Sequence, residues 1–421
     1  MKKGFSMKGF RLFAVLALML ALAACGAAND QEGQEGEEDA KAGGDVLRVV
    51  MGLGETEWEV MRSEIFPAFE EEHGVKIDAV QAEAEDVVDR LDAQVRAGRV
   101  EYDLITQDVN ALYGLVDRDL VEDLSEYRDI IPDEVFEAMV EVGTFDDRLL
   151  FLPYRPNVEI TFYNEARFKE AGLEVPKTWD ELLEVAKTFH EQDGVGRVAI
   201  KANLEGDQVL HIFDFIRSAG GDPYVLNDEG SVKAFEFLQE LAPYLAPDSR
   251  TANWNTMNTY LANESVYLGK NWPFGINVIV EQGGKEEIKA YSGWSGPAGM
   301  SHALGGEVIG IPKGAPNKEL AIEFAKYLMS KEVQEKLVRH LAWPPVRSDA
   351  YGEVEEWKKP YFEAISEALE NADPRGNVPY WPEVERAILD AYQDIVIDGQ
   401  DVKSTLDRYA EQIEQARQAA E

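Results

Sequence analysis

The 421 residues include 80 acidic and 41 basic side chains, a formal net charge of −39, and a single cysteine. A charge of this size disfavours nucleic acid as a partner and weakly disfavours an anionic ligand. One cysteine excludes a disulfide framework and a thiolate metal cluster.

Taken in order, the chain opens with a processing signal. Lys2, Lys3, Lys8 and Arg11 form a basic region, and Leu12 to Ala21 form an apolar run too short to span a bilayer comfortably. Leu22-Ala23-Ala24-Cys25 follows and reads as a bacterial lipobox, with residues 1–24 removed and Cys25 lipidated. The alternative is an ordinary cleavage site beside an incidental cysteine. Residues 25–44 are polar, acidic and rich in Gly and Ala, which predicts a disordered tether. No later apolar run has membrane-spanning length, so a lipid anchor is expected rather than an inserted helix. The remainder is long enough for two lobes, each with its own core.

Asp45 to Gly52 predicts a first strand, followed by a helix with apolar Val60, Ile65, Phe66 and Phe69. A dinucleotide fingerprint fails here, because Glu57 stands where the third glycine belongs. Val75 to Val80 is a second strand, leaving through Gln81 and Glu83 into a helix. Tyr102 to Thr106 is a third, ending at Gln107-Asp108-Val109-Asn110. This alternation predicts a doubly wound α/β lobe with ligands outside the carboxyl ends of its strands.

Leu149 to Lys187 reads as a strand-like run, a stiff bend at Pro153 and Pro156, a second strand-like run and a helix. Pro176 then precedes Thr178, a helix cap with an acidic first turn after it. Thr178 to Gln192, Gln208 to Ala219 and Ser231 to Leu245 are helical patterns, with Gly220-Gly221 ending the second. Asn253-Trp254-Asn255 opens another helix, and the strand-like Val266 to Leu268 leads into Asn271-Trp272-Pro273. Leu304 to Lys313 is a second crossover and Trp343 to Arg347 a third. Ser348 to Glu421 is mostly helical, with a break at residues 373–382.

The segment carrying Tyr163-Asn164, Lys169-Glu170-Ala171-Gly172-Leu173 and Pro176 to Leu182 closely resembles one in extracellular solute-binding proteins of ABC sugar importers, the group that includes maltose- and trehalose-binding proteins. The resemblance spans almost the whole chain from Asp45. It implies a two-lobe periplasmic-binding-protein-like α/β fold, with discontinuous lobes joined by crossover hinges: 45–154 with 308–343, and 155–307 with 344–421. It also implies a cell-envelope location, on the outer face of the cytoplasmic membrane or in the periplasm, a membrane ABC permease as partner, and a monomer. Glu307 departs from the pattern, because many sugar binders carry an aromatic residue after the paired glycines.

Sugar recognition needs aromatic faces for stacking and planar polar groups for hydroxyls. Candidates at the strand exits are Glu55, Trp58, Gln81, Glu83, Gln107, Asp108 and Asn110. Tyr154, Arg155 and Asn157 lie on the crossover, and Trp254, Asn271, Trp272, Trp343 and Arg375 come from the second half. Each has a bland alternative: Asp108 as a helix cap, the tryptophans as packing, Arg155 as an inter-lobe ion pair, Glu55 and Glu83 as solvated surface. No nucleophile elbow, zinc helix, phosphate loop or EF-hand loop occurs, and the five histidines are dispersed, so neither catalysis nor a cofactor is expected. Three functions follow: a receptor for a neutral saccharide, a receptor for a cationic solute such as a polyamine, and a secreted glycoside hydrolase. An aromatic-lined cleft, a cleft of converging carboxylates, and an opposed carboxylate pair would distinguish them.

Overall fold

The computed structural model describes residues 46–82, 84–202, 209–352, 354–375 and 378–420. The leader, Cys25, the tether and Glu83 lie outside the described residues.

Strands β1 (Val46–Met51), β2 (Lys76–Gln81) and β3 (Leu104–Asp108) form in the predicted places, joined by helices. A short hairpin, β4 (Thr144–Phe145) and β5 (Arg148–Leu149), precedes β6 (Leu152–Asn157) and β7 (Ile160–Asn164). After β8 (Val198–Ala199) come β9 (Leu268–Asn271), β10 (Ile288–Tyr291), β11 (His302–Gly310) and β12 (Ala372–Pro374). The first sheet has the order β12-β11-β3-β1-β2, with β6 also pairing β11. The second has the order β10-β7-β9-β8. In the first sheet β1 runs parallel to β2 and β3, while β11 is antiparallel to both β3 and β6. The carboxyl ends of β1, β3 and β6 therefore share one edge with the start of β11.

The two prolines do not bend the chain between two runs. Pro153 and Pro156 sit inside β6, opposite Val308 and Gly306 of β11. Proline cannot donate to a ladder, but among the described residues β6 pairs β11 alone, and its register shifts at Glu307/Val308, the irregular setting that admits proline in a sheet.

Local signals around the second sheet are met. The Asn164 side chain accepts from the Arg167 amide at 3.1 Å and caps helix Glu165–Ala171, which ends at Gly172 with φ 66°. Thr178 caps Trp179–Asp193, accepting from the Glu181 amide at 3.3 Å, and Gly194 ends that helix with φ 69°. One core surrounds the first sheet through Leu47, Val49, Ile105 and Ile309. The other packs Phe189, Phe213 and Phe235 against Ile388 and Leu406 of the C-terminal helices. Each buried ring there contributes roughly 1.5–3 kcal/mol relative to exposure.

Candidate functional site

Where the edges of the two sheets face each other lies a cleft of about 640 Å³. The first sheet supplies Gly52, Gly54 and Glu57 after β1, and Asp108 and Asn110 at the end of β3. The paired strands β6 and β11 supply Arg155, Asn157, Gly305 and Gly306 as its floor. From the second side come Trp254, Trp272, Phe274 and the π-helical turn Ile276–Gln282, which presents Asn277, Val278 and Gln282. Trp343 and Arg375 also line it, with Leu341, Ala342 and Pro344 beside Trp343.

An ion cluster ties the crossovers together. The Arg155 guanidinium lies 3.3 Å from Glu57 and 3.4 Å from Glu307. It also stacks 4.1 Å above the Trp343 ring, whose indole N–H donates to Glu57 at 2.9 Å. Tyr154, fully buried, meets Trp343 edge-on at 6.1 Å. Ala342, at the end of helix Lys331–Leu341, holds φ at 53°, the left-handed turn that leads into Trp343. Glu307 is paired with Asp108 in the sheet register. Burial, reinforced by Asp108 and Glu57 and opposed by Arg155, pushes its carboxyl up to about 7. The unmet acceptors Asn110 Oδ1 and Asn277 Oδ1 sit in the wall among the described residues.

The aromatic side is built differently. Trp272 leaves the end of β9, and its ring edge abuts the hinge strand: a Cβ on Gly305 would come within 2.9 Å of it. Gly306 has φ 115°, and a side chain there would meet the Arg155 carbonyl at 2.1 Å. These two glycines let ring and strand approach. Trp254 opens helix Trp254–Ala262, capped by Asn253, and packs edge-on against Phe274 at 5.8 Å. It remains 48% exposed at the cleft.

Of the candidate residues, the structure brings together Asp108, Asn110, Arg155, Asn157, Trp254, Trp272, Trp343 and Arg375. Glu55 and Trp58 line a separate surface groove with Arg62. The Gln81 amide oxygen accepts from the Trp58 indole at 2.5 Å and the Leu53 amide at 3.1 Å, bracing the loop after β1. Gln107 is buried and donates to the Ala84 carbonyl at 3.0 Å. Asn271 is buried too, donating to the Trp254 carbonyl at 2.9 Å and to Asn258 at 2.7 Å. Tyr154 supports Trp343 from behind the cleft.

Sequence reasoning did not select Glu57, Phe274, Asn277, Val278 or Gln282. Glu57 had a signal: it stands three residues after Gly54, whose amide donates to it at 2.7 Å. Among the described residues no group of three or more His, Cys, Asp and Glu is arranged to hold a metal ion. No helix there is long and apolar enough to cross a membrane.

The profile of bacterial extracellular solute-binding proteins matches residues 64–364. A multiple sugar-binding protein of Streptococcus mutans is 26% identical over 208 residues, 45% of this chain and 50% of that protein. An arabinooligosaccharide-binding protein of Bacillus subtilis is 23% identical over 236 residues, 53% of this chain and 54% of that protein. The chain thus spans about half the length of these relatives. Among solved structures, a cyclic α-maltosyl-1,6-maltose binding protein from Arthrobacter globiformis superposes with TM-score 0.77 at 18% identity, covering 90% of this chain and 100% of that one. The sugar-binding protein MalE from Xanthomonas citri gives 0.76 at 18% identity, covering 89% and 98%. These likenesses establish the two-lobe α/β fold, and the profile match over most of the length establishes the family: this chain belongs to the bacterial extracellular solute-binding proteins.

Proposed function

We propose that this protein is the substrate-binding component of an ABC importer, capturing a neutral sugar or oligosaccharide between its lobes and presenting it to a membrane permease. The observation that carries this reading is the composition of the cleft. Trp254, Trp272 and Phe274 offer apolar faces, and among the described residues the charged side chains lining it are two acids, Glu57 and Asp108, and two bases, Arg155 and Arg375. A polyamine would call for an excess of carboxylate, and Glu57 is already paired with Arg155. Among the described residues both lining carboxylates come from the first sheet's side, with no acid opposite them for glycoside hydrolysis. The protein therefore acts as a receptor and not as an enzyme.

The lobes divide as 45–154 with 308–343 and 155–307 with 344–421, so that two of the three boundaries fall in the paired strands β6 and β11, the one in β11 at the register shift, and the third follows Trp343. Ligand contacts from both lobes exist together only when the cleft is shut, so ligand shifts the population toward the closed form. The protein works as a monomer tethered at the cell envelope through lipid on Cys25. Cys25→Ser should move it into the soluble fraction, and membrane retention of that variant would contradict the anchor. A thermal-shift screen against maltose, maltotetraose, arabino-oligosaccharides, tagatose, spermidine and putrescine tests the ligand class. Stabilisation by a saccharide is expected; stabilisation by the polyamines alone would overturn the reading.

A further inference from the structure

Behind the aromatic wall lies a group of buried ionisable side chains that do not line the cleft. Glu159, Lys201, His211, Asp214 and Lys270 are each at most 7% exposed. Lys201 forms an ion pair with one Glu159 oxygen, and His211 Nε2 lies 2.7 Å from the other. The Lys201 backbone amide donates to His211 Nδ1 at 2.9 Å. That contact makes Nδ1 the acceptor, so the proton of a neutral His211 is on Nε2, the nitrogen that faces Glu159. Burial, with Lys201 and Lys270 nearby, holds its pKa well below the usual histidine value. Lys270 is paired separately with Asp214 at 2.5 Å.

Topology places this group at the cleft end of the second sheet. Glu159 immediately precedes β7, Lys201 follows β8 and Trp272 follows β9. β8 runs parallel to β9 and β7 antiparallel to it. All three residues therefore emerge at one end of the sheet. Lys201 Nζ lies 5.4 Å from the centroid of the Trp272 ring, within cation–π range. The ring is thereby held between a clamped cation and the glycine edge of β11.

Burying an ion pair is costly, and an apolar pair of similar volume would fill a core at least as well. What the pair adds here is a fixed cation at a fixed distance from one ring. We propose that Lys201, clamped by Glu159 and His211, is a positioning residue for ligand binding: it holds the Trp272 indole in the plane on which a sugar ring stacks. The proposal rests on Trp272 being that stacking platform. A ring already ordered has less freedom to lose when the ligand arrives.

The test uses the full chain carrying Lys201→Met together with Glu159→Gln. The paired change avoids the uncompensated carboxylate that Lys201→Met alone would leave buried, and a melting curve checks that the variant is folded. In ¹⁵N-labelled, ligand-free protein the Trp272 indole resonance is identified by its loss in Trp272→Phe. It should be single and sharp in the wild type, and shifted and broadened in the paired variant, with the other indole resonances little changed. Calorimetry with whichever of maltose, maltotetraose or arabino-oligosaccharide binds the wild type should show about threefold to tenfold weaker binding. In a Trp272→Ala background the same pair of changes should cost nothing further. An unaltered indole resonance with unaltered affinity, or losses that add in the Trp272→Ala background, overturns the positioning role. Wild-type affinity in Trp272→Ala itself overturns the stacking reading, and the positioning role falls with it.

Discussion

The two walls of the cleft use charge in opposite ways. On the first-sheet side the ions are at the surface of the cleft, where Glu57 pairs with Arg155 and Asp108 accepts from the Asn110 amide at 2.8 Å. On the second side a group of ions is hidden behind Trp272, and Lys201 meets that ring rather than the cleft, while Arg375 lines the cleft itself. One wall carries both lining carboxylates, and the other sets Trp254, Trp272 and Phe274 beside Asn277 and Gln282. That contrast matches the two faces of a sugar, whose hydroxyl edge and C–H face need different partners.

Removing Arg155 should disturb the first wall most. Its side chain is 17% exposed and compensates Glu57 and Glu307, so Arg155→Met should lower unfolding free energy by about 3 kcal/mol at pH 8. The loss should shrink at pH 5, where Glu307 takes up a proton. Urea melts at the two pH values check this, and an equal loss at both would contradict the assigned role of Glu307.

Glu307 itself sharpens the comparison. Its folded carboxyl titrates near 7 against 4.5 for the reference group. The folded state therefore binds this proton more tightly than the unfolded state. Stability falls as pH rises from 4.5 through 7 and is then level, by an order of 3 kcal/mol from this group alone. In the difference between wild type and Glu307→Gln that slope should appear across the window. A flat difference would place Glu307 in a more solvated setting than the fold gives it.

The smallest effect concerns the surface charge. Affinity for a neutral saccharide should change less than about twofold between low and moderate salt, since exposed charges are screened and few counterions are released. A steep loss on adding salt, read by calorimetry, would favour a cationic ligand.

Much of this architecture was legible in the chain. The first three strands and the Thr178 cap follow from local patterns, whereas the delivery of Trp272 is what the family resemblance implies, and its strand runs over Leu268–Asn271 rather than the Val266 to Leu268 expected from the pattern. The candidate list was blurred by strand alternation. Gln107 and Asp108, Tyr154 and Arg155, and Asn271 and Trp272 were each named as neighbours. Successive side chains along an extended chain point opposite ways, so only one of each pair lines the cleft. Helical rotation did the same after β1, where Glu57 lines the cleft while Glu55 and Trp58 line another groove. The placement of Pro153 and Pro156 inside β6 could not be read locally, because it depends on pairing with β11, about 150 residues further on. The Lys201–Glu159 pair likewise joins residues that only the second sheet brings together.

The central claim is that both walls grip one neutral ligand. Titration calorimetry of Trp272→Ala and Asp108→Ala with the saccharide found in the screen, beside ligand-free melting curves, tests it most directly. A lost stacking face or a lost charge-assisted hydrogen bond is worth roughly 1.5–3 kcal/mol, so each variant should bind about tenfold to a hundredfold more weakly while melting close to the wild type. Wild-type affinity in both, or weakened binding explained wholly by a lower melting temperature, would contradict it.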